Sequence, residues 1–422
     1  MRRQRQAILQ SASITLLLSV GVVAQASDTD KHNGNTGNAE SGPVTSSVFS
    51  LAADGPCKQY QLDLLDLGFK AASAIPVDPH VTDRSRAQET VVDACLQLDQ
   101  PTRALNYVNG IVDFRKGTAY ADIAFWFAQH DDRESAQKYM NTAKGLAEKA
   151  EEWRQDRIKV KIARTLAWMG AADEATALEN GVVEAEGGKV AAVSAERADD
   201  DTFDAQIATL DGMIASGSFD PVCNAMEACC KLYDRYYGDE KRRMLLEDKV
   251  RAASVHVPAA IRIEYICKLG AAAMKHADKA RMAQLSYEGQ QVLKGGHWAP
   301  DDHMAMVSKL AVLQHGAGQT AEATAALDAD KGMYEQEKEK IISVYRSEAL
   351  RKIAGAYQEI GESAKALETY REALETGASN PNQRPRALDL TGVCVSMAVE
   401  GVEPDAALRE RMTTICAGLK IQ

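Results

Sequence analysis

The sequence predicts an all-α protein built from a stack of antiparallel helix pairs. The stretch LRKIAGAYQEIGESAKALETYREALETG, Leu350 to Gly377, has the pattern of two short amphipathic helices joined at Gly361. Each such pair leaves one apolar face uncovered, so neighbouring pairs must stack to form a core. With 422 residues, 45% hydrophobic and 26% charged, the chain is long enough to bury one.

The spacing around Gly361 resembles that of the tetratricopeptide repeat. Tyr357 precedes this glycine by four residues, and Ala366, Tyr370 and Ala373 follow it by five, nine and twelve. In that family small residues let two helices approach closely, and aromatic side chains fill the gaps between them. The resemblance implies a right-handed α-solenoid.

The same spacing recurs at five further turns. The turn residues are Asp99, Asp131, Gly170, Gly318 and Gly401, and the alanines five residues after them are Ala104, Ala136, Ala175, Ala323 and Ala406. Ala175 and Ala323 are separated by 148 residues, so we expect four periods between them, filled by degenerate units. Most spacings exceed the family's usual length of about 34 residues, which leaves a HEAT-like solenoid as the structural alternative.

The first 26 residues have the pattern of a secretory signal peptide. Three arginines within the first five residues precede an apolar run from about Ile14 to Ala24, and small residues flank the expected cleavage point after Ala26. The run is shorter than the roughly 20 apolar residues that a membrane anchor needs. We therefore expect a periplasmic or secreted protein with no integral membrane span after cleavage.

The rest of the chain divides by composition. Residues 27–55 are rich in Ser, Asn, Gly and Asp, which predicts a disordered low-complexity tether. Tetratricopeptide-like repeats are expected over 56–185 and again over 205–422. Between them, residues 186–204 are acidic and contain glycine, which predicts a break between two lobes.

The net charge argues against nucleic acid as a partner. Loss of the signal peptide removes three arginines and no acidic residue from a formal charge of −11, which leaves a mature charge of about −14. Binding to phosphate backbones depends on clustered Lys and Arg, so we expect no nucleic-acid partner.

No spaced set of residues in the sequence specifies a reaction. GAGQTA, Gly316–Ala321, has the form of a dinucleotide turn, but it follows a helix and coincides with a repeat turn. HWAPDDH, His297–His303, lacks any zinc-ligand spacing, so we interpret it as a loop in which Asp301 or Asp302 caps the next helix. We expect no catalytic residue, no metal and no cofactor.

Eight cysteines in an exported chain favour disulfides, and buried thiols are the alternative that stays open. The candidate bridges are Cys57 with Cys95, and Cys267 with either Cys229 or Cys230. Each would join neighbouring repeats.

The resemblance also suggests where a ligand binds. In tetratricopeptide proteins the first helix of each pair lines a concave groove, and that rule places Phe125, Arg157, Arg164, Arg351 and Gln358 on it. Arginine forms paired hydrogen bonds with carboxylates, so a peptide terminus or an acidic segment is the expected ligand, with ordinary solvated surface as the alternative. We expect a non-enzymatic scaffold that binds a protein or peptide partner. The alternative is an exported enzyme, or a regulatory subunit of an envelope enzyme, whose site the sequence does not reveal.

Overall fold

The computed structural model describes residues 54–183 and 186–419, so the predicted signal peptide and almost all of the predicted tether lie outside the described residues. Within those ranges the chain forms nineteen α-helices, one 3₁₀ turn at Lys338–Lys340 and no strand, which confirms the all-α prediction. The helices are α1 (Gln59–Ser73), α2 (Val77–Gln97), α3 (Pro101–Val108), α4 (Arg115–Gln129), α5 (Arg133–Ala147), α6 (Glu152–Trp168), α7 (Ala172–Glu179), α8 (Lys189–Arg197), α9 (Phe203–Ala215), α10 (Phe219–Arg235), α11 (Glu240–Ser254), α12 (Ala259–Lys275), α13 (Lys279–Lys294), α14 (Pro300–Gly316), α15 (Thr320–Glu337), α16 (Ser343–Glu359), α17 (Ser363–Ala378), α18 (Gln383–Val399) and α19 (Ala406–Ala417).

The helices take two alternating positions. Each even-numbered helix from α2 to α18 packs against the next even-numbered one, whereas α3, α5 and the other odd-numbered helices up to α17 pack chiefly on their even-numbered neighbours. Helices that touch one another in series must lie on the shorter circumference of a curved array. The nine even-numbered helices are therefore the inner layer, and the odd-numbered ones are the outer layer.

The array closes on itself. The last inner helix, α18, packs against the first, α2, and α1 fills the outer position between them. The Tyr60 hydroxyl on α1 donates to the carbonyl oxygen of Gly401 at 2.8 Å, and Gln61 Nε2 donates to the carbonyl oxygen of Ala398 at 2.7 Å. The protein is therefore a ring of nine helix pairs, the last of which is assembled from both ends of the chain.

This closure corrects one repeat position. The sequence predicts that Ala406 is the buried alanine of the last outer helix, but Ala406 is exposed, and Leu408 is fully buried instead. The reason is that α1 already occupies the outer position beside α18. As a result α19 lies against α1, α17 and α18 as an additional helix.

The other predicted repeat positions are structural. Gly318 and Gly361 adopt left-handed backbone angles, with φ of 89° and 87°, which allow a tight turn between inner and outer helices. Ala175 on α7 and Ala323 on α15 are four helix pairs apart, as their spacing predicts. The buried repeat positions are Ala104, Ala136, Ala175, Ala323, Tyr357, Ala366, Tyr370 and Ala373. The remaining turn glycines, Gly170 and Gly401, also have positive φ.

Ion pairs connect consecutive inner helices. In most of them a carboxylate on one helix meets a base on the next, as for Glu89 with Arg115 at 3.3 Å. The others are Asp122–Arg164, Glu196–Lys231, Glu227–Lys268, Glu264–Lys309 and, across the closure, Asp83–Arg384. Each exposed pair contributes little energy, but together they favour one register between neighbouring helices.

The predicted break between two lobes contains an inner helix. Within residues 186–204, α8 packs against both α6 and α10. The largest core cluster joins α1–α8 to α14–α19, and a second cluster covers α8–α14. The two clusters meet within α8, where Val190 belongs to the first and Ala195 to the second. No helix in the described ranges combines the length and the apolar character needed to cross a membrane.

Candidate functional site

All five residues predicted to line a groove lie on inner helices. Phe125 is on α4, Arg157 and Arg164 are on α6, and Arg351 and Gln358 are on α16. The structure brings Phe125 and Arg164 into contact on adjacent helices. In contrast, α16 is separated from α4 by α18 and α2, so the five residues do not form one site.

The residues on α4 and α6 form a compact group. We define the α4–α6 cluster as Asp122, Phe125, Lys161, Arg164 and Trp168. Their spacing of three or four residues places each set on one face of its helix. Arg164 Nη2 donates to Asp122 Oδ1 at 2.8 Å, and Lys161 Nζ donates to the other carboxylate oxygen. One carboxylate thus holds two cations at the inner wall.

Aromatic rings extend the α4–α6 cluster. The guanidinium of Arg164 lies over the Phe125 ring at 4.0 Å, a contact that stabilises the cation by about 0.5–2 kcal/mol. Trp168 meets Phe125 edge-on at 5.6 Å, and its Nε1 donates to the carbonyl oxygen of Ala128 at 3.0 Å. The cations and the rings are therefore held in fixed positions relative to each other.

Arg157 begins the same face of α6. Its Nε and Nη2 donate to the Glu186 carboxylate, with the shortest distance at 2.6 Å, and its guanidinium lies 5.0 Å from the Trp153 ring. Glu152, beside that ring, has a φ of 50°, which costs about 1 kcal/mol or more for a residue other than glycine. The repeat spacing does not single out Trp153, although a tryptophan followed by Arg154 and Arg157 is a visible signal in the sequence.

A buried carboxyl lies next to the α4–α6 cluster. Burial, and after it the negative charge of Asp122, raise the pKa of Asp93 on α2 to about 8. Burial alone would lower the pKa of Lys161, but attraction to Asp122, Glu89 and Asp93 raises it. Within the α4–α6 cluster itself, two cations, Lys161 and Arg164, share the one carboxylate of Asp122.

The predicted arginines already have protein partners. Arg157 is paired with Glu186 and Arg164 with Asp122, so an anionic ligand must compete with both carboxylates. Arg351 Nη1 donates to the carbonyl oxygen of Gly392 at 3.3 Å, and a Cβ at Gly392 would lie only 2.8 Å from the Arg351 guanidinium carbon. The α4–α6 cluster is thus the better candidate site, because Arg351 is packed on α18.

The cysteines do not pair as predicted. All eight are free thiols in the structure. The Cys57 thiol donates to Gln61 Oε1 at 3.6 Å, whereas Cys95 is buried in the main core. Cys229 and Cys230 belong to a different hydrophobic cluster from Cys267. Six of the eight thiols are buried, as in the alternative, whereas Cys57 and Cys223 are partly exposed.

The HWAPDDH segment contains the N-terminus of α14. Its N-cap is Ala299, which uses no side-chain hydrogen bond, so the predicted aspartate cap is wrong. Asp301 and Asp302 instead lie in the first turn, where their negative charge interacts favourably with the positive end of the helix dipole. His303 Nδ1 lies 3.1 Å from Asp330 Oδ1. Within 54–183 and 186–419, no group of three or more His, Cys, Asp or Glu residues is arranged to hold a metal ion.

Comparisons with known proteins give no functional assignment. No protein-family model matches the chain, and no curated protein matches it in sequence. Among solved structures, Ton1535 from Thermococcus onnurineus NA1 is 15% identical, with 85% of this chain and 99% of that chain covered and a TM-score of 0.25. A circular tandem repeat protein with novel repeat topology and enhanced subunit contact surfaces is 12% identical, with 85% and 95% covered and a TM-score of 0.24. These TM-scores are too low to support a conclusion, so the closed ring is inferred only from the contacts within this chain.

Proposed function

We propose that this protein is an exported interaction scaffold that binds an extended, acidic segment of a partner polypeptide along the inner face of its ring. The α4–α6 cluster is the proposed recognition site, together with Arg157. We also propose that the helix pairs are divergent tetratricopeptide repeats, and that the protein acts by binding rather than by turnover. The observation that carries the proposal is the group of cations and rings on the inner wall of a chain that is acidic overall.

The size of the ring supports an extended ligand. Nine inner helices at the usual interaxial distance of about 8–10 Å form a circle roughly 25 Å across, which leaves an opening of about 15 Å between helix surfaces. A folded domain of about 100 residues is roughly 30 Å across and does not fit. A single extended polypeptide does.

The charge of the site supports an acidic ligand. Arg157, Lys161 and Arg164 place three cations along one face of α6, and Lys189 follows at the start of α8. Planar guanidinium groups pair well with carboxylates, and the rings of Phe125 and Trp168 offer apolar surface beside them. Glutamate or aspartate side chains of a ligand would replace part of the pairing now made with Asp122.

The test uses the mature chain, residues 27–422, and a fluorescein-labelled 16-residue peptide of alternating glutamate and serine. A lysine–serine peptide of the same length is the ligand control. We expect the acidic peptide to bind by fluorescence anisotropy, and Arg157→Gln with Arg164→Gln to weaken binding at least tenfold. A tenfold loss corresponds to about 1.4 kcal/mol in total, or about 0.7 kcal/mol for each of the two charged contacts.

The matched control replaces two other ion-paired bases of the inner wall. Lys268→Gln with Lys309→Gln removes equal charge from α12 and α14. Both double variants should melt slightly below the wild type, because each loses two ion pairs. Their affinities for the peptide can therefore be compared at similar stability. Binding that is no stronger for the acidic than for the basic peptide, or an equal loss in both double variants, would reject the α4–α6 cluster as the recognition site.

A further inference from the structure

Exposed apolar side chains gather at one end of the ring. Because the helices of each pair are antiparallel, the connections from an outer helix to the next inner helix all lie at the same end. Most of the large hydrophobic side chains that are exposed in the described ranges lie in or next to these connections. We define the apolar rim as Val77, Val112, Trp153, Val183, Val255, Ile342, Val344 and Tyr345.

Several of these connections repeat one arrangement. Ile111 is 1% exposed while its neighbour Val112 is 57% exposed, and Ile341 is 2% exposed while Ile342 is 64% exposed. In each case one apolar side chain enters the core and the next faces solvent. A single exposed hydrophobic residue is ordinary, but its recurrence at the same end of separate repeats indicates a shared contact surface.

We propose that the apolar rim is the contact between two copies of the ring, packed rim to rim about a twofold axis. The exposed fractions of the eight rim residues correspond to a solvent-accessible area of roughly 700 Å² per ring. A dimer that covered this area on both rings would bury about 1,400 Å². Stable interfaces bury about 1,200–2,000 Å² in total. The rim thus supplies enough area for a dimer without any other surface.

Charges beside the apolar rim suit a twofold contact. Glu151 and Arg154 flank Trp153, and both are exposed. A twofold axis places the same surface on both sides of the interface, so a patch that contains both signs can pair with its own copy. A patch of one sign could not.

The connections at the opposite rim contain none of the large hydrophobic side chains that are exposed in the described ranges. Asp54 Oδ1 accepts a hydrogen bond from Thr102 N at 2.8 Å, and Gly55 N donates to the carbonyl oxygen of Asp99 at 2.7 Å. These contacts hold the first described residues, Asp54 and Gly55, against the opposite rim. The opposite rim instead carries polar groups, among them the helix-capping aspartates Asp132, Asp239, Asp278 and Asp405, three of which pair with arginines.

The experiment measures the mass of the mature chain by sedimentation velocity and light scattering from about 1 to 100 µM, where interfaces of this size associate. The rim variant is Val112→Glu with Val255→Glu and Ile342→Glu. The matched control is Met244→Glu with Tyr287→Glu, two residues that are 58% and 63% exposed but lie on outer helices away from the rim.

We expect dimers for the wild type and the control, and a folded monomer for the rim variant, with dimerisation at least 100-fold weaker. Circular dichroism checks the fold, and serine substitutions at the same three positions replace the glutamates if that variant does not fold. A wild type that is monomeric throughout this range, a rim variant that still dimerises, or assemblies larger than two rings would each overturn the proposal. If the wild type is monomeric and binds neutral phosphatidylcholine vesicles, and the rim variant does not bind them, the dimer proposal is overturned and the apolar rim is a membrane-binding surface.

Discussion

Closure of the ring by α1 predicts that a substitution near the N-terminus destabilises the C-terminal helices. Leu65 is fully buried on α1, on the same face as Gly68. A Cβ at Gly68 would lie 3.2 Å from Cys394 Cβ on α18, so the two helices are in close contact there. Leu65→Ala removes three buried carbon atoms and leaves a cavity, which should cost about 2–5 kcal/mol of unfolding free energy.

Hydrogen exchange with mass spectrometry shows where that loss falls. We expect Leu65→Ala to lower protection in α18 and α19 as well as in α1–α3, because α1 is the outer partner of α18. The matched control is Leu246→Ala, which removes an equally buried leucine from α11, far from the closure. That variant should lower protection chiefly in α10–α12.

Loss of protection confined to α1–α3 would refute the closed ring, because α1 would then behave as the end cap of an open array. A second substitution tests the same contact. Tyr60→Phe removes the hydrogen bond to Gly401, which is 341 residues away in sequence, and should cost about 0.5–1.5 kcal/mol. An unchanged stability in that variant would also count against closure.

Two further predictions concern single side chains. Ala366→Glu should lower the free energy of unfolding measured in urea by about 3–5 kcal/mol, because it buries an unpaired carboxylate between α16 and α17. Ala406→Glu, at an exposed position, should be nearly neutral. Equal effects of the two substitutions would contradict the repeat assignment. Burial raises the pKa of Asp389 to about 7, against the attraction of Arg351, so the folded state holds its proton more tightly than the unfolded state. The stability that this proton contributes is present below about pH 4 and is lost as the pH rises to 7. Asp389→Asn should therefore raise the free energy of unfolding by up to about 4 kcal/mol more at pH 8 than at pH 4. An increase that does not depend on pH, or an equal increase in the exposed control Glu410→Gln, would contradict this.

The candidate site was predictable only in part. The repeat spacing places Phe125, Arg157 and Arg164 on inner helices, because a helix periodicity of 3.6 residues determines which side chains share a face. It does not reveal that Asp122 and Glu186 neutralise these arginines. Asp122 lies on the neighbouring helix α4 and Glu186 in the connection before α8, and their distances from the arginines depend on how the helix pairs pack.

The sequence by itself determined the helix pairs and their number between Ala175 and Ala323. These features depend on turn residues, small residues and apolar periodicity, which act within a stretch of about 34–45 residues. Only the tertiary structure decided that the array closes, that α1 replaces the predicted last outer helix, and that Ala406 is exposed. Closure depends on the curvature summed over nine pairs, and a small rotation at each interface decides whether the ends of the chain meet or pass each other.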